Sequence, residues 1–322
     1  MKQINVLGLV SLDTLQFENG KSYLGGGAFA TAWIASLWGV HANLYSTSYN
    51  KEYDKIVQNN MLWNAELFSH MPLATSKPMT RFEISRSNED YSYKIFNMNN
   101  SQVELKRFLY ETKGEQYIKL PAGNFLGLSN MISRASMNPQ GKFDLIQFMT
   151  RLHTEGYIFL NNKELLSSSK LDFASTLKYI ENMKQSFVIT LGADGAICYD
   201  AYSCNWCYSS SIQTLKHVCT LGCGDAFAGG FLAAQAKRKS ISECMLYGTI
   251  SAYLLTYSPS NMPTIWLDNS TGYEYWESDL EKMITYFQNV DDLIDFIETS
   301  MGKRYTLQHN ISLSKKFDWE LY

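Results

Sequence analysis

The strongest constraint on the fold of this chain is an alternation between short apolar runs and longer stretches of helical spacing. Residues 4–10, 42–46, 157–160 and 187–191 are runs of strand length. Residues 28–38 and 53–64, like the stretches between the later strands, carry apolar residues at helical periodicity. Strands separated by helices can pair in parallel only through crossovers, which cover both faces of a sheet with helices. The expected class is α/β, a three-layer α/β/α sandwich.

Two segments break the alternation. Residues 15–18 and 21–24 flank Asn19-Gly20, a pair that tolerates the positive φ angles of a tight type I′ turn. Residues 81–85 and 91–96 flank Asn88-Glu89-Asp90 and read as a second hairpin. Together, as hairpins over about 13–25 and 79–97, they suit a small β-sheet lid outside the main sheet. The expected main domain covers 1–265. Residues 266–322 are set apart as a C-terminal extension, charged and aromatic, with an amphipathic helix expected between Leu280 and Ile297.

Composition excludes several function classes. With 45% hydrophobic and 14% aromatic residues against 18% charged, the chain has ample material for a core. A formal net charge of -3, with only short basic clusters such as Lys237-Arg238-Lys239, offers no footprint for a nucleic-acid backbone. The apolar run 4–10 is stopped by Asp13 without a clear cleavage site and reads as a buried strand rather than a signal peptide. Later apolar runs, such as 252–255, fall far short of the ~20 residues that span a bilayer, so the expected location is cytoplasmic, away from membranes. Six cysteines (198, 204, 207, 219, 223 and 244) without a secretory signal suggest reduced thiols. Cys204 and Cys207, with His217, Cys219 and Cys223, could be drawn as a zinc site; cysteines of a simple hairpin are the preferred reading.

The segment Thr220-Leu221-Gly222-Cys223-Gly224-Asp225-Ala226-Phe227-Ala228-Gly229-Gly230-Phe231-Leu232 carries the chemistry. Its first glycines allow a turn that gathers backbone N–H groups, and a small-residue helix follows whose N-terminal dipole faces the same point. That combination suits an anion such as phosphate. An aspartate at its mouth can take a proton from an incoming hydroxyl while the amides hold charge on transferred oxygens.

This segment resembles the C-terminal signature of the PfkB, or ribokinase-like, carbohydrate kinase family, Asp-Thr-x-Gly-Ala-Gly-Asp-x-Phe-x-Gly-Gly-Phe. Cys219 and Cys223 replace its first Asp and its Ala. The resemblance implies a ribokinase-like fold, Asp225 as catalytic base, and an anion hole from the amides of Gly222, Cys223 and Gly224. Other landmarks follow in order over about residues 4–258. Gly25-Gly26-Gly27, opening the segment that runs to Gly39, looks like the N-terminal signature, whose glycines let a sugar approach the backbone. Asp13, placed at the end of the first strand, matches the aspartate that binds substrate hydroxyls. Pro78 and Thr80 enter the lid strands. Asn161-Asn162-Lys163-Glu164 reproduces an Asn-x-x-Glu motif, implying Glu164 as a magnesium organiser through water. Thr190, Gly192 and Gly195 lie in a strand and turn that resemble the family's nucleotide-binding stretch, with Asn161 beside them.

The implied activity is an ATP- and Mg2+-dependent kinase acting on a hydroxymethyl group of a sugar or sugar derivative, with a homodimer as one arrangement open to it. A nucleoside acceptor is one alternative. A catalytically inactive relative that binds a sugar or nucleotide is another. No Gly-x-x-x-x-Gly-Lys-Ser/Thr and no Gly-x-Gly-x-x-Gly after the first strand is present, which disfavours P-loop kinases and Rossmann dehydrogenases. The chain departs from the family at Ala30, where an asparagine usually contacts substrate, and at Cys219, which puts potassium dependence in doubt. With Phe29 and Trp33 near Ala30 in sequence, a less polar pocket is expected. Residues 97–156 are compressed relative to the family.

Overall fold

The computed structural model describes residues 3–8, 10–46, 68–72, 80–87, 90–96, 157–169, 171–183, 185–212, 219–256, 265–267, 281–300 and 313–315. In chain order the strands are Gln3–Gly8 (β1), Ser11–Leu15 (β2), Lys21–Gly25 (β3), His41–Ser46 (β4), Phe68–Pro72 (β5), Thr80–Ser87 (β6), Asp90–Phe96 (β7), Tyr157–Asn161 (β8), Ser186–Thr190 (β9), Ala196–Asp200 (β10), Asn205–Ser209 (β11), Ile265–Leu267 (β12), Ile284–Phe287 (β13) and Leu313–Lys315 (β14). The helices are Gly27–Leu37 (α1), Asn162–Ser169 (α2), Phe173–Asn182 (α3), Cys223–Ala236 (α4), Ile241–Leu255 (α5) and Val290–Ser300 (α6).

Strands β8 to β10 are apolar nearly throughout because both faces of their sheet are covered. That sheet has the order β13-β11-β10-β9-β8, with β8 and β9 parallel and the remaining pairs antiparallel. One face sends Tyr157, Phe159, Val188, Cys198 and Cys207 into a cluster with Phe227 and Phe231 of α4 and Met245 and Ile250 of α5. The other sends Ile158, Leu160, Phe187, Ile189 and Trp206 into a second cluster with Leu165 of α2, Leu177 and Ile180 of α3 and Leu293 of α6. Two apolar layers on opposite faces make the three-layer α/β/α arrangement expected from the sequence. Strands β1, β4 and β5 form a separate parallel sheet, whose Ile4, Val6, Ala42 and Leu44 join the first cluster beside α1.

Helix α1 carries no charge and is buried from Gly27 to Ser36 because it lies between α4 and the β1-β4-β5 sheet. It runs beside α4 at close range: a Cβ on Gly229 would sit 2.6 Å from the Thr31 carbonyl oxygen and from Ile34. Phe29 and Trp33, with no exposed surface, belong to this core and do not line an open pocket as expected from their neighbourhood to Ala30.

The lid is a four-stranded sheet of order β3-β2-β6-β7. Asn19 and Gly20 turn the first hairpin with φ of 57° and 73°, matching the expected Asn-Gly turn. The strand before it is shifted, however: 16–18 form a 3-10 turn, and β2 spans Ser11–Leu15. Asp13 therefore lies inside a lid strand and not at the end of the first strand. The chain leaves the β1-β4-β5 sheet at Gly8, and the alternation from Ser11 to Leu15 buries Ser11, Asp13 and Leu15 on one lid face.

The helix expected over 280–297 begins only at Val290; 284–287 is strand β13, antiparallel to β11. Ile284 and Phe287 pack toward the two apolar clusters, which fits a strand's alternation as well as a helical period. The helix expected over 53–64, the compressed stretch 97–156, Pro78 and His217 lie outside the described residues. Cys204 is exposed in a turn, Cys207 lies opposite Cys198 across β10 and β11, and no group of three metal-ligating side chains occurs among the described residues. No helix among the described residues is long and apolar enough to cross a membrane.

Candidate active site

Strands β8 and β9 are parallel, so their last residues, Asn161 and Thr190, pair in register at one edge of the main sheet. In open α/β sheets this C-terminal edge is where ligands bind. Helix α4 starts against the same edge. Where a Gly224 Cβ would stand, the Thr190 hydroxyl lies 3.8 Å away. Gly222 caps α4 with φ 80°, and the helix opens with Cys223, Gly224 and Asp225 in its first turn. The turn before it closes with Cys223 N–H donating to the Thr220 carbonyl at 3.3 Å, so one of the three expected anion-hole amides is shared with this turn.

The Cys223 side chain turns away from this mouth, with Sγ 3.5 Å from the Ala252 carbonyl of α5. Burial, with Cys219 and Asp225 nearby, pushes its thiol well above the ordinary cysteine range and keeps it neutral. Asp225 is half-buried. Its backbone is tied to the N-terminal signature, because the Thr31 hydroxyl of α1 donates to the Asp225 carbonyl at 3.1 Å. Thr31 was not a sequence candidate. Only the tertiary contact between α1 and α4 reveals it.

Gly26, with φ 90°, caps α1, and Gly27 is its first residue. Gly25, at the end of β3, has a different neighbour from the one the sequence suggested. A Cβ there would collide with the Asp13 carboxylate, so the missing side chain makes room for Asp13 itself. Ser11 Oγ donates to Asp13 Oδ1 at 2.6 Å. The register sets Asp13 between Tyr23 and Phe82, its partners on β3 and β6. Asp13, 6% exposed, thus stands between two aromatic residues on the neighbouring strands, its carboxylate oriented by a hydroxyl.

Asn161 and Glu164 form a reciprocal cap on α2. The Asn161 amide donates to Glu164 Oε2 at 2.9 Å, and the Glu164 amide donates to Asn161 Oδ1 at 2.8 Å. The cap uses one of roughly four acceptor positions on the Glu164 carboxylate. One carboxylate at a sheet edge fits a magnesium that keeps most of its waters and takes its other oxygens from phosphates. Gly192 and Gly195 bracket a 3-10 turn after β9, and Leu191 N–H donates to the Gly195 carbonyl at 2.8 Å. The Tyr208 hydroxyl, donating to the Asp194 carbonyl at 2.8 Å, clamps this turn onto β11.

The lid touches the helix-start loop. The Thr220 amide donates to the Tyr91 hydroxyl at 3.2 Å, and the Cys219 sulfur lies 3.2 Å from the same oxygen. Leu221 packs against the lid cluster of Leu15, Tyr23, Phe82 and Ile84. Tyr91 also escaped the sequence reading, since it stands in a hairpin without a motif.

Comparison with known proteins agrees with this geometry. Residues 137–264 match the family model described as pfkB family carbohydrate kinase. A nucleoside kinase of Methanocaldococcus jannaschii is 21% identical over 291 residues, 82% of this chain and 94% of that protein. A cytidine kinase of Thermococcus kodakarensis is 24% identical over 280 residues, covering 77% and 94%. Among solved structures, adenosine kinase from Sinorhizobium meliloti superposes with a TM-score of 0.61 at 16% identity, covering 82% of this chain and 96% of that one. The structure of the M. jannaschii nucleoside kinase, described as an archaeal member of the ribokinase family, gives 0.58 at 17% identity, with 88% and 99% covered. Residues 137–264 thus match the PfkB carbohydrate kinase model, and the fold is that of the ribokinase-like kinases.

Proposed function

We propose that this chain is an ATP-dependent kinase that phosphorylates a hydroxymethyl group of a sugar or sugar derivative, with Asp225 as general base. The observation that carries this is the first turn of α4, where Asp225 follows Gly222, Cys223 and Gly224 beside Thr190 at the sheet edge. Two roles meet there. The Asp225 carboxylate takes the proton of the acceptor hydroxyl as that oxygen bonds to the γ-phosphorus of ATP. The bond from that phosphorus to the β–γ bridging oxygen breaks, ADP leaves, and Asp225 ends protonated. The helix N-terminus and the Gly222, Cys223 and Gly224 amides offset the negative charge on the transferred oxygens, Cys223 sharing its amide with Thr220.

Asp13 orients the acceptor: an acid fixed by Ser11 accepts hydrogen bonds from two adjacent sugar hydroxyls, and the backbone at Gly25, Gly26 and Gly27 borders the same side. Asn161, Thr190, Gly192 and Gly195 line the nucleotide side. Glu164 would hold a magnesium through water, and that ion would screen the phosphates. The lid excludes water, which would otherwise compete for the phosphoryl group.

A nucleoside acceptor is supported by the two curated relatives, a nucleoside kinase and a cytidine kinase. A nucleoside is itself a sugar derivative with a hydroxymethyl group, so the chemistry is the same and only the acceptor pocket differs. The test is ATP consumption with magnesium against pentoses, hexoses, their phosphates and nucleosides, beside Asp225→Asn. One acceptor should stimulate turnover, and the variant should lose about 10²–10⁴-fold in kcat while melting like the parent. ATP or sugar binding without turnover on any acceptor would favour the inactive relative.

A further inference from the structure

We propose that Tyr91 is a positioning residue, a latch through which the lid holds the loop that leads into the Asp225 helix. Three contacts converge on its side chain. The hydroxyl accepts the Thr220 N–H at 3.2 Å and shares a hydrogen with the Cys219 sulfur at 3.2 Å. The Cys219 sulfur in turn accepts the Leu221 N–H at 3.4 Å, so one lid hydroxyl reaches two consecutive loop amides, the second through the thiol. The ring lies 6.0 Å from Phe17 at the tip of the other lid hairpin, with the Arg86 guanidinium 5.9 Å from its centre.

The loop so held is the one that sets the site. Thr220 accepts the Cys223 N–H that closes the turn, and Gly222 caps α4 immediately after it. Asp13, on the acceptor side, belongs to the same lid sheet as Tyr91, through β2, β6 and β7. A lid displaced from the core therefore carries Asp13 away from the acceptor and releases the amides ahead of Asp225 in one movement. Acceptor binding at Asp13 and order in the anion loop are coupled through rigid strands and one hydroxyl. Cys219, where the family signature has an aspartate, places its sulfur 3.2 Å from the phenol oxygen.

The contact is independent of what the protein catalyses; its effect on turnover rests on the kinase reading. Amide hydrogen exchange across 219–225 in Tyr91→Phe should quicken about fivefold or more at Thr220 and Leu221, the scale of one lost hydrogen bond. The ring stays, so its packing on Phe17 and the lid cluster survives. In steady-state assays with the stimulating acceptor, kcat should fall about tenfold with little change in KM for ATP. Cys219→Ala should fall similarly, and the double variant should be no worse than either single one, because both act through the same loop. Cys219→Ser, which keeps a hydrogen-bonding group, should recover part of the loss. Unchanged exchange at Thr220 and Leu221, or additive losses in the double variant, would overturn the latch. If the wild type turns over no acceptor, the kinase reading fails while the exchange result still decides the latch.

Discussion

At Gly25 a hydrogen in place of a side chain decides where the Asp13 carboxylate can lie. The sequence marked both residues, but for separate reasons: the glycine as a gap for substrate and the aspartate as a ligand for hydroxyls. Their pairing depends on the register of β2 against β3, which sets Ser11 opposite Gly25 and lets the neighbouring carboxylate fold over it. No spacing rule reveals that. Gly25→Ala should force the carboxylate off Ser11 and tilt it between Tyr23 and Phe82. We expect KM for the acceptor to rise about tenfold or more, and stability to fall by about 1–3 kcal/mol, as overpacking does. Ser11→Ala keeps the space and removes only the hydroxyl, so its loss of stability should stay near about 1 kcal/mol. Acceptor titrations and thermal melts on the two variants separate the effects.

At the scale of elements, α5 supports the site from behind, since Cys223 of α4 reaches its Ala252 carbonyl. Its start is fixed by a capping box in which Ser240 Oγ accepts the Glu243 N–H and the Glu243 carboxylate accepts the Ser240 N–H. Lys239 adds an ion pair to Glu243 at 2.6 Å. Partial burial alone would raise the Glu243 pKa, but the bonds from Lys239 and Ser240 outweigh it and hold the carboxyl below its ordinary range. A folded pKa below the unfolded one gives stability that is full above about pH 4.3 and is lost as pH falls through the folded value. Glu243→Gln should therefore flatten that part of the acid limb in urea melts between about pH 5 and 3, while Ser240→Ala should cost about 1 kcal/mol at neutral pH. Ser240 and Glu243, spaced as Ser-x-x-Glu, carry this helix start in the sequence itself. The same directness holds for the Asn19-Gly20 turn, for β8 and β9, and for the order of the signature residues. Tyr91, Thr31 and strand β13 were hidden because each is defined by a partner more than a hundred residues away or on another sheet strand, and local periodicity does not encode that.

For the molecule as a whole, the question is whether the segment after 265 is an appendage or part of the fold that carries the site. Strand β13 covers the β11 edge of the main sheet, pairing Trp206 with Phe287 and Ser209 with Ile284. Helix α6 then lays Val290 and Leu293, both buried, on the cluster beneath β8 to β11, and its Phe296 ring stands 4.9 Å from that of Tyr208. Tyr208 is the residue that clamps the Gly192 to Gly195 turn through the Asp194 carbonyl. The tail therefore supports the proposed nucleotide side of the site through one intervening ring. Cutting the chain after 265 should uncover the β11 edge and the apolar floor together, giving an aggregating product, because a bare strand edge is a template for pairing. Leu293→Ala tests the same idea within the full chain. The cavity it leaves should cost about 2–5 kcal/mol, and the melting temperature should drop accordingly. ATP affinity should weaken more than acceptor affinity, since the damage lies behind the nucleotide turn and far in sequence from the lid. A soluble, fully active chain truncated at 265 would make the segment an appendage after all. Equal loss of both affinities in Leu293→Ala would mean that it supports the fold without favouring either half of the site.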